Sequence, residues 1–218
     1  MMGEKPDYSR VENKSKYILA CDERGTMYLN SSRNARCFGG FIFPNLKINH
    51  LIQQWKHIKQ VLCDSDRVEL KWSHFFSGPH LKKGSPLPDE DEDFQRGLAV
   101  IALQEIFTKC DYLTMVNVVV KKKEAFDKHK ELLYFLQDDG RYRLKNEIFY
   151  GGIFAFFIRY IANTNGIGEI WMDQLSSQSE EDKVQESWEK TRENEGIRKR
   201  HLDWYKAGLR IEPKIHFF

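Results

Sequence analysis

The chain lacks the sequence signatures that identify several common enzyme classes. It contains no phosphate-binding loop of the G-x-x-x-x-G-K-[ST] type, no G-x-S-x-G nucleophile turn and no G-x-G-x-x-G dinucleotide turn. The sequence therefore gives no motif-based indication of ATP hydrolysis, of serine-hydrolase chemistry or of Rossmann-type redox chemistry. An excess of one charge is also lacking, because 34 lysines and arginines face 32 aspartates and glutamates. The overall charge thus selects no class of partner.

Nothing in the sequence indicates an oxidising compartment or a membrane. The four cysteines show no C-x-x-C or Cys/His ligand spacing and lie mostly in apolar stretches, which predicts reduced packing residues in a cytoplasmic protein. Residues 1–16 form a polar tail without the apolar core of a signal peptide. The longest apolar run, residues 148–158, is shorter than the roughly 20 residues that span a bilayer. We expect a buried helix there.

The hydrophobic pattern predicts an α/β protein with one domain over residues 17–218. Two β-prone runs, residues 17–22 and 37–44, predict an antiparallel pair, and the near-continuous apolarity of residues 112–120 predicts a strand buried on both faces. Strands followed by alternating helices and strands predict a mixed sheet with helices on both faces. The other predicted elements are helices at residues 46–62, 94–108, 124–136, 146–163 and 177–195, strands at 68–73, 169–175 and 210–218, and a surface loop near 78–93.

Two aspartates end apolar strands that are far apart in the sequence. Asp22 ends the run Tyr-Ile-Leu-Ala-Cys-Asp, and Asp173 ends the run Glu-Ile-Trp-Met-Asp. A carboxylate in an apolar run is costly to desolvate, which indicates a bound cation or a solvent-facing edge. Carboxylates on adjacent strands, about 4.8 Å apart, could share Mg²⁺ or Mn²⁺. If the strand at residues 112–120 lies between them, the gap doubles to roughly 9.6 Å and a shared site needs longer side chains.

Four further residues complete the predicted site. Glu69 is the natural third ligand, and Lys71, two residues on, points to the same face. Lys71 could neutralise charge on a phosphate or form a surface ion pair of little worth. Glu23 alternates to the face opposite Asp22 and is a secondary candidate. His74 is a second such candidate, as a proton shuttle or as a structural histidine.

Basic residues cluster at two places that could contact nucleic acid. The first is the run Lys121, Lys122 and Lys123, and the second is Arg141 with Arg143. Taken singly, each cluster is more typical of an ordinary solvated surface.

Several short motifs resemble those of the family of prokaryotic and phage proteins called domain of unknown function 3800. The run at residues 21–25 is similar to the family's D-E-S-G turn, with Arg24 in place of the serine, and residues 38–43 resemble the strand with paired small residues that follows. Residues 69–73 resemble its E-x-K-x-S segment, and residues 170–173 its strand-borne aspartate. The resemblance implies a ribonuclease-H-like fold, with Asp22 on the first strand of a mixed sheet, in a superfamily rich in metal-dependent nucleases, transposases and resolvases.

One family motif has no counterpart here. Family members usually continue beyond a segment like residues 213–217 into a helix with an L-Q-x-A-D motif, whose aspartate would complete the acidic set. This chain ends at Phe218. Either the sequence is truncated or this member lacks the final ligand.

These observations favour a metal-dependent nuclease in which Asp22, Glu69 and Asp173 hold Mg²⁺ or Mn²⁺ and Lys71 assists. The alternative is a nucleic-acid- or protein-binding module of the same fold without catalysis. A third possibility is a component of a defence or mobile-element system that needs a partner chain. Trp188 is either an anchor for such a partner or a core residue.

Overall fold

The structure is a computed structural model that describes residues 16–25, 27–29, 35–67, 92–164, 166–172, 175, 177–194, 196 and 215–217. The chain divides into two compact units: Met1–Asn45 together with Thr114–Phe218, and Leu46–Leu113. The predicted strand at residues 68–73 lies outside the described residues, as does almost all of the predicted loop near 78–93.

The first unit is built on a five-stranded mixed sheet in the order β3-β2-β1-β6-β7. The central strand β1 (Lys16–Arg24) pairs antiparallel with β2 (Ala35–Pro44), and β2 pairs antiparallel with β3 (Thr114–Lys121). On its other side β1 pairs parallel with β6 (Ile167–Met172), which pairs parallel with β7 (Ile215–Phe217). The predicted antiparallel pair and the mixed sheet are confirmed.

One long helix covers a face of this sheet and supplies most of its core. Helix α4 (Asn146–Asn163) has the bounds that the sequence predicts, and its apolar residues go most of the way round because the helix is buried. Phe38 of β2 is fully buried against it, with its ring edge-on to the rings of Tyr150 and Phe154 at centroid distances of 4.9 and 5.8 Å. No helix among the described residues is long and apolar enough to cross a membrane.

The prediction that residues 112–120 are buried on both faces is wrong. Strand β3 is at one end of the order of the described strands, and its residues alternate between half-buried or buried and exposed. Met115 and Val119 are 58% and 55% exposed, whereas Val116 is buried. Valine-rich sequence fits any pleated surface with one packed face, so β-propensity alone does not report burial on the second face.

The remaining elements of the first unit differ from prediction mainly at their ends. The charged helix α3 (Lys122–Leu133) stops early because the next three residues form β4 (Tyr134–Leu136), which pairs antiparallel with β5 (Tyr142–Leu144). Helix α5 (Gln178–Glu193) lies where the sequence predicts an exposed helix, but one side of it is buried. Trp188 is only 2% exposed and meets the Phe154 ring edge-on at 5.5 Å, which makes it a core residue.

The described part of the second unit contains two packed helices. Helix α1 (Ile48–Cys63) and helix α2 (Glu92–Lys109) pack on each other, with Ile58 and Ala102 buried. After α2 the Tyr112 hydroxyl lies 2.9 Å from His50 Nδ1 at the start of α1. This hydrogen bond and the helix packing hold the two ends of the unit together.

Gly40 is required where β2 passes β1. A Cβ at this position would overlap the Ala20 carbonyl oxygen and lie 2.6 Å from the Cys21 Cα. Because both are backbone atoms of the central strand, Gly40→Ala is expected to destabilise the protein by about 1–3 kcal/mol, the usual cost of overpacking. Urea denaturation measures this change.

Gly97→Ala is the matched control for Gly40→Ala. Gly97 lies in α2 with no described atom within 4 Å of the added Cβ, so alanine should leave stability unchanged or raise it by up to about 1 kcal/mol. A Gly40→Ala protein as stable as the wild type would contradict the close approach of the two strands.

Candidate functional site

Asp22 lies near the end of β1, on the strand at the centre of the sheet. Its backbone pairs with Gly39 of β2, and the preceding Cys21 pairs with Met172 of β6. The Asp22 side chain is exposed, and its Oδ1 accepts a hydrogen bond of 2.6 Å from the Glu23 backbone N–H. The exposed side chain fits the interpretation of Asp22 as a solvent-facing carboxylate at a strand end.

The strand that could have separated Asp22 from Asp173 does not lie between β1 and β6 in the strand order. β3 is two strands away from β1 on the β2 side, and β6 is the direct neighbour of β1 on the other side. Met172, the last residue of β6, is paired with Cys21. Asp173 is the next residue in the chain and lies outside the described residues.

The other predicted residues of this site belong to a single segment of the chain. Glu69, Lys71 and His74 belong to the stretch at residues 68–91, outside the described residues. Within the part of the chain that is described, no three His, Cys, Asp or Glu side chains come together as a metal site would require. Glu69 and Asp173, two of the three predicted ligands, lie outside the described residues to which this statement applies.

Glu23 is the carboxylate that faces inward. It points away from Asp22, as alternation along the strand predicts, towards the side of the sheet that carries α4. Its Oε2 lies 2.5 Å from a terminal nitrogen of Arg36, and the Tyr150 hydroxyl of α4 donates a hydrogen bond to the same oxygen. The side chains of Glu23 and Arg36 are only 16% and 6% exposed. A carboxylate held this way is engaged in structure and is poorly placed to ligate a metal beside Asp22.

Arg36 connects three parts of the first unit. Besides its ion pair with Glu23, it donates hydrogen bonds to the Gly25 carbonyl oxygen and, at 3.3 Å, to the Tyr150 hydroxyl. Its guanidinium also lies 5.2 Å from the centroid of the Phe149 ring. Sequence reasoning missed this residue. The signal was the alternation of β2, which puts Arg36 on the same face as the core residue Phe38.

Burial sets the protonation of the groups around Glu23. Burial first, and then the charge of Glu23, raise the pKa of the Tyr150 hydroxyl well above its ordinary value. Tyr150 therefore remains a hydrogen-bond donor at neutral pH. Burial and the charges of Asp22 and Glu23 likewise raise the pKa of the Cys21 thiol, which donates to the Trp171 carbonyl oxygen at 3.6 Å. Cys21 is a packing residue rather than a nucleophile.

The run Lys121 to Lys123 is divided by the start of α3. Lys121 and Lys123 are exposed, and Lys121 Nζ lies 3.5 Å from Glu124 Oε1. Lys122 is fully buried, and its Nζ donates a hydrogen bond of 2.8 Å to the Tyr28 carbonyl oxygen. Burial, and then the nearby charge of Arg36, lower the pKa of Lys122. The predicted role of Lys122 in nucleic-acid binding does not fit this position, because its ammonium is directed into the protein.

Arg141 and Arg143 lie on the β4–β5 hairpin. Arg141 is exposed, and its Nε donates a hydrogen bond of 2.7 Å to Asp139 Oδ2 in the turn. Arg143 is half-buried and occupies the central position of β5, opposite Phe135 of β4. The hairpin thus presents two of the five predicted nucleic-acid contacts side by side.

Comparison of the chain with protein-family models, with curated proteins and with solved structures finds no match in any of the three. The resemblance to the domain of unknown function 3800 stays a prediction that rests on the short motifs at Asp22, Glu69 and Asp173.

Proposed function

We propose that the protein is a metal-dependent nuclease of ribonuclease-H-like fold, in which Asp22, Asp173 and Glu69 bind Mg²⁺ or Mn²⁺. The observation that carries the proposal is the strand order, in which the strand bearing Asp22 is central and pairs directly with β6. If β6 continues by one residue in the same register, Asp173 stands beside Asp22 at the spacing of about 4.8 Å between neighbouring strands.

The chemistry of the donor at Asp22 fits a hard divalent cation. Such ions prefer carboxylate and water oxygens as ligands. In enzymes that act on nucleic acids, phosphate oxygens of the substrate complete the coordination shell. Asp22 offers an exposed carboxylate on a rigid strand, whereas the Glu23 carboxylate is already neutralised by Arg36. Asp22 therefore faces solvent at the strand end, whereas Glu23 is engaged in structure.

Each part of the site has a defined task in this proposal. When bound, the metal ion would supply a water of lowered pKa and stabilise the leaving oxygen of the phosphodiester. Asp22 would orient the ion from the strand end, and Lys71 would neutralise charge on the phosphate. The exposed Lys121 and Lys123, with the hairpin arginines, would hold the nucleic-acid backbone.

The proposal predicts cleavage that depends strictly on a divalent ion. End-labelled single- and double-stranded DNA and RNA are incubated with the protein in Mg²⁺, in Mn²⁺ and in excess EDTA. We expect products with one of the two ions, none in EDTA, and recovery when excess Mn²⁺ is added back to the EDTA sample. The readout is the product ladder on a denaturing gel.

Two outcomes would contradict the proposal. Cleavage that continues in EDTA would exclude the metal mechanism. Binding of nucleic acid without turnover in either ion would favour the rival function, a binding module of the same fold.

A further inference from the structure

The outer face of the β4–β5 hairpin carries a row of aromatic and basic side chains. Tyr28 forms an isolated antiparallel bridge with Arg143, and Arg143 is paired on its other side with Phe135. Residues paired across antiparallel strands project to the same face. Tyr28, Arg143 and Phe135 therefore lie side by side across three segments of chain, and we refer to these three residues as the aromatic–arginine row.

The opposite face of the same three segments belongs to the core. Met27, Tyr134 and Leu144, which neighbour the row in sequence, are all buried. The row itself faces outward: Phe135 is 42% exposed, and Tyr28 and Arg143 are half-buried. A fourth residue, Arg141, extends the row, since its guanidinium lies 4.3 Å from the centroid of the Tyr28 ring.

Arg143 lacks the carboxylate partner that two other described arginines of this unit have. Arg36 and Arg141 each pair with a carboxylate. Among the described residues Arg143 has neither an ion pair nor a ring contact. Its Nε, like that of Arg36, is buried without a hydrogen-bond acceptor, so in Arg143 neither kind of partner offsets the burial. A half-buried guanidinium without an anion is costly, so this position favours an anionic ligand.

The surrounding segment is basic although the whole chain is nearly neutral. Residues 121–145 contain eight lysines and arginines against five aspartates and glutamates, an excess larger than the net charge of +2 for the entire chain. Local positive charge of this kind attracts a polyanion.

We propose that the aromatic–arginine row binds single-stranded nucleic acid, with bases stacked on Tyr28 and Phe135 and phosphates held by Arg143 and Arg141. The inference rests on the proposed function and names the form of substrate that the nuclease engages. Aromatic rings stack on any base, and arginine contacts the backbone, so the site recognises strandedness rather than sequence.

The spacing of the backbone segments that carry the two rings favours a single strand over a duplex. The segments of Tyr28 and Phe135 lie on either side of β5, which places their backbones roughly 9.6 Å apart. Neighbouring bases of a duplex strand rise by only about 3.4 Å. Bases that reach both rings must therefore be splayed apart, with the linking backbone passing over Arg143 between them.

The first test compares Phe135→Ala with Phe156→Ala. Phe156, on α4, is 45% exposed and so matches Phe135 in residue type and exposure. Fluorescence anisotropy of a labelled mixed-sequence single strand, in EDTA to prevent cleavage, gives the Kd of each full-length variant. Loss of one base stack predicts a Kd about 5- to 150-fold higher for Phe135→Ala, and no change for Phe156→Ala.

An abasic strand isolates the contribution of stacking. It keeps every phosphate but offers no base to either ring, so wild type should bind it more weakly and Phe135→Ala should weaken that binding no further. Circular dichroism and thermal melting of each variant establish that the fold is retained. An equal loss with the abasic and the normal strand would overturn the stacking role.

The second test compares Arg143→Gln with Arg159→Gln, which removes the same charge from an exposed arginine of α4. Removal of one phosphate-binding side chain should reduce the slope of log K against log salt by about 0.7 for a single strand. We expect this reduction for Arg143→Gln and none for Arg159→Gln. Equal slopes for the two variants would overturn the inference. In a competition assay, polyglutamate that displaces the labelled strand as effectively as an unlabelled oligonucleotide does would also overturn it.

The inference and the proposed nuclease activity fail separately. Binding to the row without metal-dependent cleavage overturns the nuclease proposal and leaves the inference standing. Cleavage by a protein whose binding is unaffected by Phe135→Ala and Arg143→Gln overturns the inference and leaves the nuclease proposal standing.

Discussion

Asp22→Asn is expected to lower the rate of metal-dependent cleavage by at least about 100-fold, since even changes to groups that only support a metal ligand typically cost 10- to 100-fold. The amide keeps the shape of the side chain but removes the negative charge that a divalent ion requires. Because Asp22 is exposed, the substitution should change stability by no more than about 0.5 kcal/mol.

Asp111→Asn is the matched control for Asp22→Asn. Asp111 is exposed in the turn before β3 and is not part of the proposed site. Initial cleavage rates at saturating Mn²⁺ and melting temperatures are compared for the two variants. Cleavage by Asp22→Asn at the wild-type rate would remove Asp22 from the mechanism and, with it, the argument from the strand order.

Arg36→Met is expected to destabilise the protein by about 3–5 kcal/mol, the usual cost of removing one partner of a buried ion pair. The substitution leaves the largely buried Glu23 carboxylate without its cation and also removes the hydrogen bond to the Gly25 carbonyl oxygen. Methionine preserves much of the side-chain volume, so the loss reports charge and hydrogen bonding more than a cavity. The free energy of unfolding from urea denaturation measures it.

Arg141→Met provides the comparison at the surface. The Arg141–Asp139 ion pair is short, 2.5 Å, but its side chains are 54% and 44% exposed, so its loss should cost under about 1 kcal/mol. The double variant Arg36→Met/Glu23→Gln should be more stable than Arg36→Met alone, because no buried charge remains unpaired. Equal costs for Arg36→Met and Arg141→Met would contradict the buried pair.

Local patterns predicted the helices and strands well where one face or a whole segment is buried. Helix α4 and the β1–β2 pair were predicted because long apolar periodicity reflects burial directly. The same reasoning failed for β3, whose valines resemble a doubly covered strand although Met115 and Val119 are exposed. Position within a sheet depends on neighbours that a local pattern does not contain.

The candidate site was predicted only in part for the same reason. The sequence identified the pair Asp22 and Glu23 and placed them on opposite faces, because side chains alternate along a strand. It left Asp22 as either a cation ligand or a solvent-facing carboxylate, and it did not indicate that Glu23 is the carboxylate that packs against the protein. The deciding partner, Tyr150, is 127 residues away from Glu23.

The sequence by itself determined the strand that carries Asp22, the alternation of Asp22 with Glu23, and the apolar helix that covers the sheet, since each follows from residues close together in the chain. Only the tertiary structure decided that β6 lies beside β1, that Arg36 and Tyr150 hold Glu23, and that Tyr28 joins Arg143 and Phe135 in one row. Those contacts depend on strand order and register. The free energy that selects order and register comes from packing between segments distant in sequence, so no local pattern records it.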